Sequence, residues 1–240
     1  MEFLFNLDLS KPYIMFKSLI NLFFPRVCCG CNSILLTDEI VICSECRHEI
    51  PLTQFHLNPN NEAISKFYGK IPIEFAAALF YFQKKGIVQE MIHKLKYKGH
   101  EEIGTVVGQW YAEELKNVAQ IQAADCIIPV PLHPRRMRER GYNQVATFGK
   151  ALSESLEIPY NESILIRNVY SKTQTKKSLL KRTEVNTAVF EANFDEATSY
   201  NHFLLIDDVI TTGSTLEACC RALLTIPNTK VSIVCMAMTQ

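Results

Sequence analysis

The segment Phe203-Leu204-Leu205-Ile206-Asp207-Asp208-Val209-Ile210-Thr211-Thr212-Gly213-Ser214-Thr215 constrains the fold more than any other stretch of the chain. Residues 203–206 are a continuous apolar run, the pattern of a strand buried on both faces, and two adjacent carboxylates end it. A short loop of threonines, glycine and serine then opens a helix over residues 214–224, and residues 231–236 read as another strand. The same alternation runs upstream. Residues 75–82 form an apolar strand that ends at Lys84-Lys85-Gly86, and residues 87–98 place Ile87, Met91, Ile92 and Leu95 at helical spacing. A second helix covers 101–116, a strand at 126–130 is stopped by proline, a helix covers 142–156, and a short strand covers 164–166. Strands alternating with helices predict an α/β fold with a mostly parallel sheet and helices on both faces.

The loop after the 203–206 strand carries chemistry. In open parallel sheets, ligands collect at the carboxyl ends of the strands. Gly213 lets the backbone approach an anion closely, and Thr211, Thr212, Ser214 and Thr215 supply hydroxyl and N–H donors. The helix behind them aims its positive end at the same place. Asp207 and Asp208 repel phosphate, so they point instead to a neighbouring polyol or a metal ion.

A second constellation lies near the start. Five of the nine cysteines fall between positions 28 and 46, and Cys126, Cys219, Cys220 and Cys235 are scattered through apolar segments. Cys28-x-x-Cys31 and Cys43-x-x-Cys46 form two tight turns, each aiming two sulfurs at one ion. Two such turns complete the tetrahedron that zinc prefers and leave no open position for chemistry, so the metal is structural. Four cysteines also suit an iron–sulfur centre. Cys29 competes with Cys28 for the first position; the two-residue spacing favours Cys28. One metal site in a reducing compartment accounts for this distribution better than a disulfide framework, and it places the protein in the cytoplasm.

Residues 25–50 are too poor in apolar side chains to hold a core alone, and 51–72 are polar and turn-rich. The expected organisation is an N-terminal helix and four-cysteine module over 1–60, a linker over 61–74 and the α/β domain over 75–240. A chain of 240 residues, 48% hydrophobic and 21% charged, suits one ordinary domain with a small appendage. The formal net charge is zero, so any affinity for nucleic acid must come from local clusters. The apolar stretch at 19–24 is too short to span a bilayer, which needs roughly 20 apolar residues. Residues 13–24 read as an amphipathic helix docked on the protein, which is not integral to a membrane.

Residues 206–215 closely resemble the signature of type I phosphoribosyltransferases. The resemblance implies that Asp207 and Asp208 take the ribose hydroxyls of phosphoribosyl pyrophosphate, and that Thr211, Thr212, Gly213, Ser214 and Thr215 hold the 5-phosphate. The paired CxxC turns ahead of such a domain resemble the ComF competence proteins. Further support comes from Ile128-Pro129-Val130-Pro131-Leu132-His133-Pro134-Arg135-Arg136, Glu139-Arg140-Gly141-Tyr142-Asn143-Gln144, and Thr173-Gln174-Thr175-Lys176-Lys177-Ser178 with Arg182 and Phe190. The likeness runs from about Pro25 to the end and departs at Val185-Asn186, where the family's asparagine is displaced by one position.

By the same resemblance, Leu132, His133, Arg135 and Arg136 meet the pyrophosphate, and a mobile loop over 168–187 brings Lys172, Lys176 and Lys177 over the phosphates. His133 beside two prolines reads as positional rather than as a base, no catalytic residue is assigned, and Arg138 suits a solvated helix face equally well. Trp110 and Tyr111 read as packing anchors.

Two functional readings stay open. An enzyme would displace pyrophosphate at the ribose anomeric carbon, with magnesium bridging ribose and pyrophosphate oxygens. A non-catalytic protein would use the pocket as a sensor or scaffold and engage single-stranded DNA, with Lys94, Lys96 and Lys98 near Tyr97, or competence partners such as a helicase or recombination mediator. The ComF resemblance implies a role in DNA uptake and natural transformation, with phosphoribosyl pyrophosphate or ribose 5-phosphate as the small-molecule partner.

Overall fold

The computed structural model describes residues 23–168, 189–193 and 200–240. Most of the expected 13–24 helix lies outside the described residues, as do Lys172, Lys176 and Lys177, the stretch 173–178 and Arg182.

Among the described residues six strands follow one another: β1 (Phe75–Phe82), β2 (Cys126–Pro129), β3 (Leu165–Arg167), β4 (Phe190–Ala192), β5 (His202–Ile210) and β6 (Lys230–Thr239). The main sheet has the order β1-β6-β5-β2, and every pairing in it is parallel. Tyr160 adds a parallel bridge to Ile127 on the outer side of β2. β3 and β4 form a separate antiparallel pair. The central strands β5 and β6 are buried almost throughout, which is why their sequences read as unbroken apolar runs.

Side chains alternate across a strand, so neighbouring residues of β5 report its two faces. On one face Ile206 lies beneath Gly149 of helix Ala146–Leu156. That helix packs along helix Glu102–Leu115, and the two approach closely because Gly104 and Gly108 lack side chains. A Cβ at Gly108 would stand 2.7 Å from both the Cβ of Ala151 and the carbonyl oxygen of Phe148. Helix Ile87–Tyr97 shares this face, and helix Ser214–Leu223 covers the other. The connection after β2 therefore leaves on one face and that after β5 on the opposite face. A crevice opens between their carboxyl ends, the usual place for a ligand in such sheets.

Two elements differ from the sequence reading. β5 does not stop at Ile206 but runs to Ile210, because Val209 and Ile210 keep pairing with Ala237 and Met238 of β6. The acid pair therefore sits inside the strand rather than after it. The helix expected over 142–156 starts at Ala146, and a separate helix Pro134–Arg140 precedes it, closed by Gly141 at a φ of +81°.

The segment expected as a linker carries structure of its own. A 3-10 turn, Phe55–Leu57, and helix Glu62–Ser65 pack on β1, burying Phe55, Ala63 and Phe67. Asn61 fastens them: its side-chain amide donates to the carbonyls of Phe55, Asn58 and Ala76, while its oxygen caps the short helix at Ile64. Its apolar contacts are spread among polar residues without a period, which is why they were not visible in the sequence.

The four-cysteine module also joins this body. Arg47 of helix Ser44–Glu49 stacks its guanidinium 4.9 Å from the Trp110 ring, which itself meets Phe80 of β1 edge-on. Tyr111 is fully buried, so both expected packing anchors serve that role. Among the described residues no helix is long and apolar enough to cross a membrane.

Candidate ligand crevice and metal module

β5 delivers Asp207 and Asp208 to opposite faces near its carboxyl end. Asp208 is buried, and both its oxygens are engaged. Lys96 Nζ, from the last turn of helix Ile87–Tyr97, donates to Oδ1 at 2.8 Å, and Gln144 Nε2 donates to Oδ2 at 2.7 Å. Gln144 is oriented in turn by Arg140, which donates to its side-chain oxygen at 2.7 Å and lies 5.0 Å from the Tyr97 ring. A buried carboxylate demands such compensation, because an unpaired charge in this setting costs several kcal/mol. Sequence reasoning read Lys96 as a helix-end cation that suits the dipole or extends a basic surface, and Gln144 only as part of a family motif. Neither residue carries a local sign that it will meet an acid 112 or 64 positions away.

Among the described residues Asp207 forms no ion pair, and Lys96 acts on it only at a distance. The Asp207 side chain accepts from the Asp208 N–H at 2.8 Å. Burial raises its carboxyl well above the usual range, and the Asp208 charge adds to the rise. Beyond β5, Gly213 adopts a φ of +79°, a region where a residue with a Cβ is strained, and it caps helix Ser214–Leu223. A Cβ there would also crowd the Phe67 ring at 3.1 Å. Thr211, Thr212, Ser214 and Thr215 are all exposed around this turn, with the Thr212 and Ser214 hydroxyls 2.9 Å apart. Hydroxyls and the free N–H groups of a helix start make a donor-rich concavity suited to an anion.

The segment after β2 borders the crevice. His133 caps helix Pro134–Arg140, its Nδ1 accepting from the Arg135 N–H at 3.1 Å, which is the positional role expected for it. Arg135 pairs with Glu139 one turn on, at 2.8 Å. Leu132 is half-buried, whereas Arg136 and Arg138 are exposed. Lys96, Tyr97, Gly99, Arg136, Glu139, Arg140 and Tyr142 line a cleft of about 230 Å³.

The Cys28, Cys31, Cys43 and Cys46 sulfurs all lie within 4.8 Å of one another. Zinc–sulfur bonds of about 2.3 Å give a tetrahedron with edges near ~3.8 Å, and Cys31 and Cys43 stand 3.7 Å apart. Backbone N–H groups already point at the sulfurs: Gly30 and Cys43 donate to Cys28 at 3.3 Å, and Cys46 donates to Cys43 at 3.4 Å. Lys94 supplies an independent test of the donor set. Its ammonium is buried and bonds the Cys28 carbonyl at 3.1 Å and Asn32 Oδ1 at 2.6 Å, and among the described residues it meets no carboxylate. Four neutral thiols give a buried cation little return, whereas a zinc ion with four thiolates carries two negative charges beside it. The cluster therefore fits structural zinc, and Cys28 rather than Cys29 completes it.

These features coincide with similarity to known proteins. Competence protein F of Haemophilus influenzae is 31% identical over 147 residues, covering 61% of this chain and 59% of that protein. DNA utilization protein YhgH of Escherichia coli K12 is 27% identical over 218 residues, covering 89% of this chain and 90% of that one. Competence protein ComFC of Bacillus subtilis is 28% identical over 138 residues, covering 58% and 54%. The chain is a homologue of the ComF-type competence proteins. No family model matches the chain. Among solved structures, UMP synthase of Leishmania donovani aligns with 59% of this chain and 24% of that one, at a TM-score of 0.34 and 17% identity.

Two outcomes are expected from this geometry. Lys94→Met should weaken zinc affinity about 10–100-fold, the usual cost of losing a partner outside the ligand set, measured by competition with a chromophoric chelator. Asp207 has a folded pKa above its unfolded value, so the folded state holds the extra proton and stability falls as pH rises above the ordinary carboxylate range. Asp207→Asn should therefore raise the melting temperature at pH 8, by about 2–4 °C per kcal/mol relieved, and the gain should shrink as pH approaches 4.

Proposed function

We propose that the chain binds the ribose 5-phosphate part of phosphoribosyl pyrophosphate, or a related ribose phosphate, at the carboxyl end of β5. We further propose that it acts in the handling of incoming DNA during natural transformation, in the cytoplasm. The observation that carries the ligand assignment is the turn at 211–215. Four exposed hydroxyl residues surround a left-handed glycine at a helix start, a few residues beyond a buried acid pair. The 5-phosphate would sit against Thr211, Thr212, Gly213, Ser214 and Thr215, with Asp207 and Asp208 toward the ribose hydroxyls. The names of the relatives, competence and DNA-utilization proteins, support the biological role.

The pairing of Asp208 adds a condition. Its oxygens are committed to Lys96 and Gln144, so a ribose diol reaching it must displace one of them. Magnesium would enter held by the ligand's own ribose and pyrophosphate oxygens. Leu132, His133, Arg135 and Arg136 flank the pyrophosphate position, and Arg136 is the cation best exposed to it. Turnover would be a pentosyl transfer, read as pyrophosphate release above background with amine and base acceptors.

A second reading, single-stranded DNA binding, is favoured by the cleft beside the crevice. Lys96, Arg136 and Arg140 surround Tyr97 there, and its ring is 65% exposed. Basic groups tracking a backbone beside an aromatic face suit unpaired bases. With zero net charge, affinity would be modest and would fall steeply with salt.

Phosphoribosyl pyrophosphate with magnesium should raise the melting temperature; a ligand at 100 times its Kd contributes about 2.7 kcal/mol. Thr212→Val should remove most of the shift, and a wild-type protein that shows none rules the ligand out. For DNA, filter retention of a labelled single strand should be salt-sensitive, and Tyr97→Ala should weaken it by about 1–3 kcal/mol for each stacked base lost. Retention that is absent at low salt, or unchanged in Tyr97→Ala, excludes the cleft.

A further inference from the structure

Cys29 is displaced from the four-cysteine cluster by the knuckle itself. Cys29 lies in the knuckle turn closed by the Asn32 N–H on the Cys28 carbonyl, and with Cys28 turned to the cluster its own side chain turns toward His100 of the α/β body. Its N–H donates to the Val41 carbonyl at 2.8 Å, which fixes that orientation, and the residue is 2% exposed. Its sulfur lies 4.0 Å from Nδ1 of His100, and the same Nδ1 lies 2.7 Å from Oε1 of Glu102. His100 belongs to the tight connection between helices Ile87–Tyr97 and Glu102–Leu115, where Gly99 takes a φ of +72°. Glu102 opens the second of these helices.

One feature separates the possible roles of this trio. A nucleophile–base–acid relay needs the histidine to present its two nitrogens to different partners. Here the thiol and the carboxylate both face Nδ1, so one ring nitrogen cannot pass a proton from one to the other. Three ligand atoms converging within 4.8 Å is instead the arrangement around a single ion. We propose that Cys29, His100 and Glu102 form a second divalent transition-metal site, of the zinc class, that clamps the cysteine module to the helix pair of the α/β body.

The donor set supports that metal class. A thiolate, an imidazole and a carboxylate together suit zinc, whereas magnesium and calcium prefer oxygen alone. Tetrahedral zinc would place sulfur and nitrogen about 3.5 Å apart and nitrogen and oxygen about 3.3 Å apart. The Glu102 side chain is half-exposed and free to open the short contact by that amount. Solvent reaches His100 and Glu102 from outside, so the fourth position is left to water. Three protein ligands leave one coordination position open to water, in contrast to the closed four-thiolate cluster. Lys94 does not compete for these ligands, because its donors are held by the Cys28 carbonyl and Asn32. The clamp would close on the segment that carries Lys96 and Tyr97, immediately before His100.

Cobalt(II) titration of the full chain tests this, because thiolate-to-cobalt absorption reports the four-thiolate site separately from total metal. Two equivalents of tightly bound metal are expected in the wild type, falling to one in His100→Gln and in Cys29→Ser, with the four-thiolate spectrum retained in His100→Gln. One equivalent in the wild type, or two in His100→Gln, overturns the proposal.

Discussion

The buried charge of Asp208 organises the ligand end of this molecule. A carboxylate on a central parallel strand has no water to solvate it, so the chain must bring it a cation and a second donor. Lys96 and Gln144 do so from two different elements, the last turn of helix Ile87–Tyr97 and the turn ahead of helix Ala146–Leu156. One residue of β5 thereby ties together the connection after β1, which carries Lys96, and the connection after β2, which carries Gln144. Arg140 extends the same network to Tyr97, so the basic cleft and the acid pair share Lys96 and are not independent surfaces.

Asp207 shows the opposite solution. It faces the other side of the sheet with no ion pair among the described residues, and burial holds its carboxyl above the usual range at a cost to stability. Burial and the same acid push the Cys219 thiol up behind it, on helix Ser214–Leu223. A group that destabilises the fold is retained most readily where a ligand uses it, and this one stands a few residues from the hydroxyl-rich turn. The local cost and the donor-rich concavity lie together at the carboxyl end of β5.

The metal module is joined to the body by apolar packing, since Leu35, Val41, Ile42 and Ile50 share the buried core of the sheet, and by charge and aromatic contacts. Lys94 reaches from the helix that also carries Lys96 to the carbonyl of Cys28, and Arg47 reaches back to Trp110. Helix Ile87–Tyr97 thus serves the zinc cluster with one lysine and the ligand crevice with another, two residues on.

The sequence by itself determined the elements whose information is local. Unbroken apolar runs marked β1, β5 and β6, the hydroxyl and glycine turn marked the ligand loop, and the two CxxC pairs marked the metal. Each is written in neighbouring residues, because a strand buried on both faces, a left-handed turn and a chelating knuckle are short-range demands. The boundaries of β5 and the helix Pro134–Arg140 were less legible, since pairing with β6 carries the strand past its charged residues. Tertiary structure alone decided that Cys28 rather than Cys29 joins the cluster, that 51–72 packs on β1, and that Lys96 and Gln144 compensate Asp208. These depend on which distant groups a buried charge or thiol meets, and desolvation sets that choice only once the sheet has closed around them.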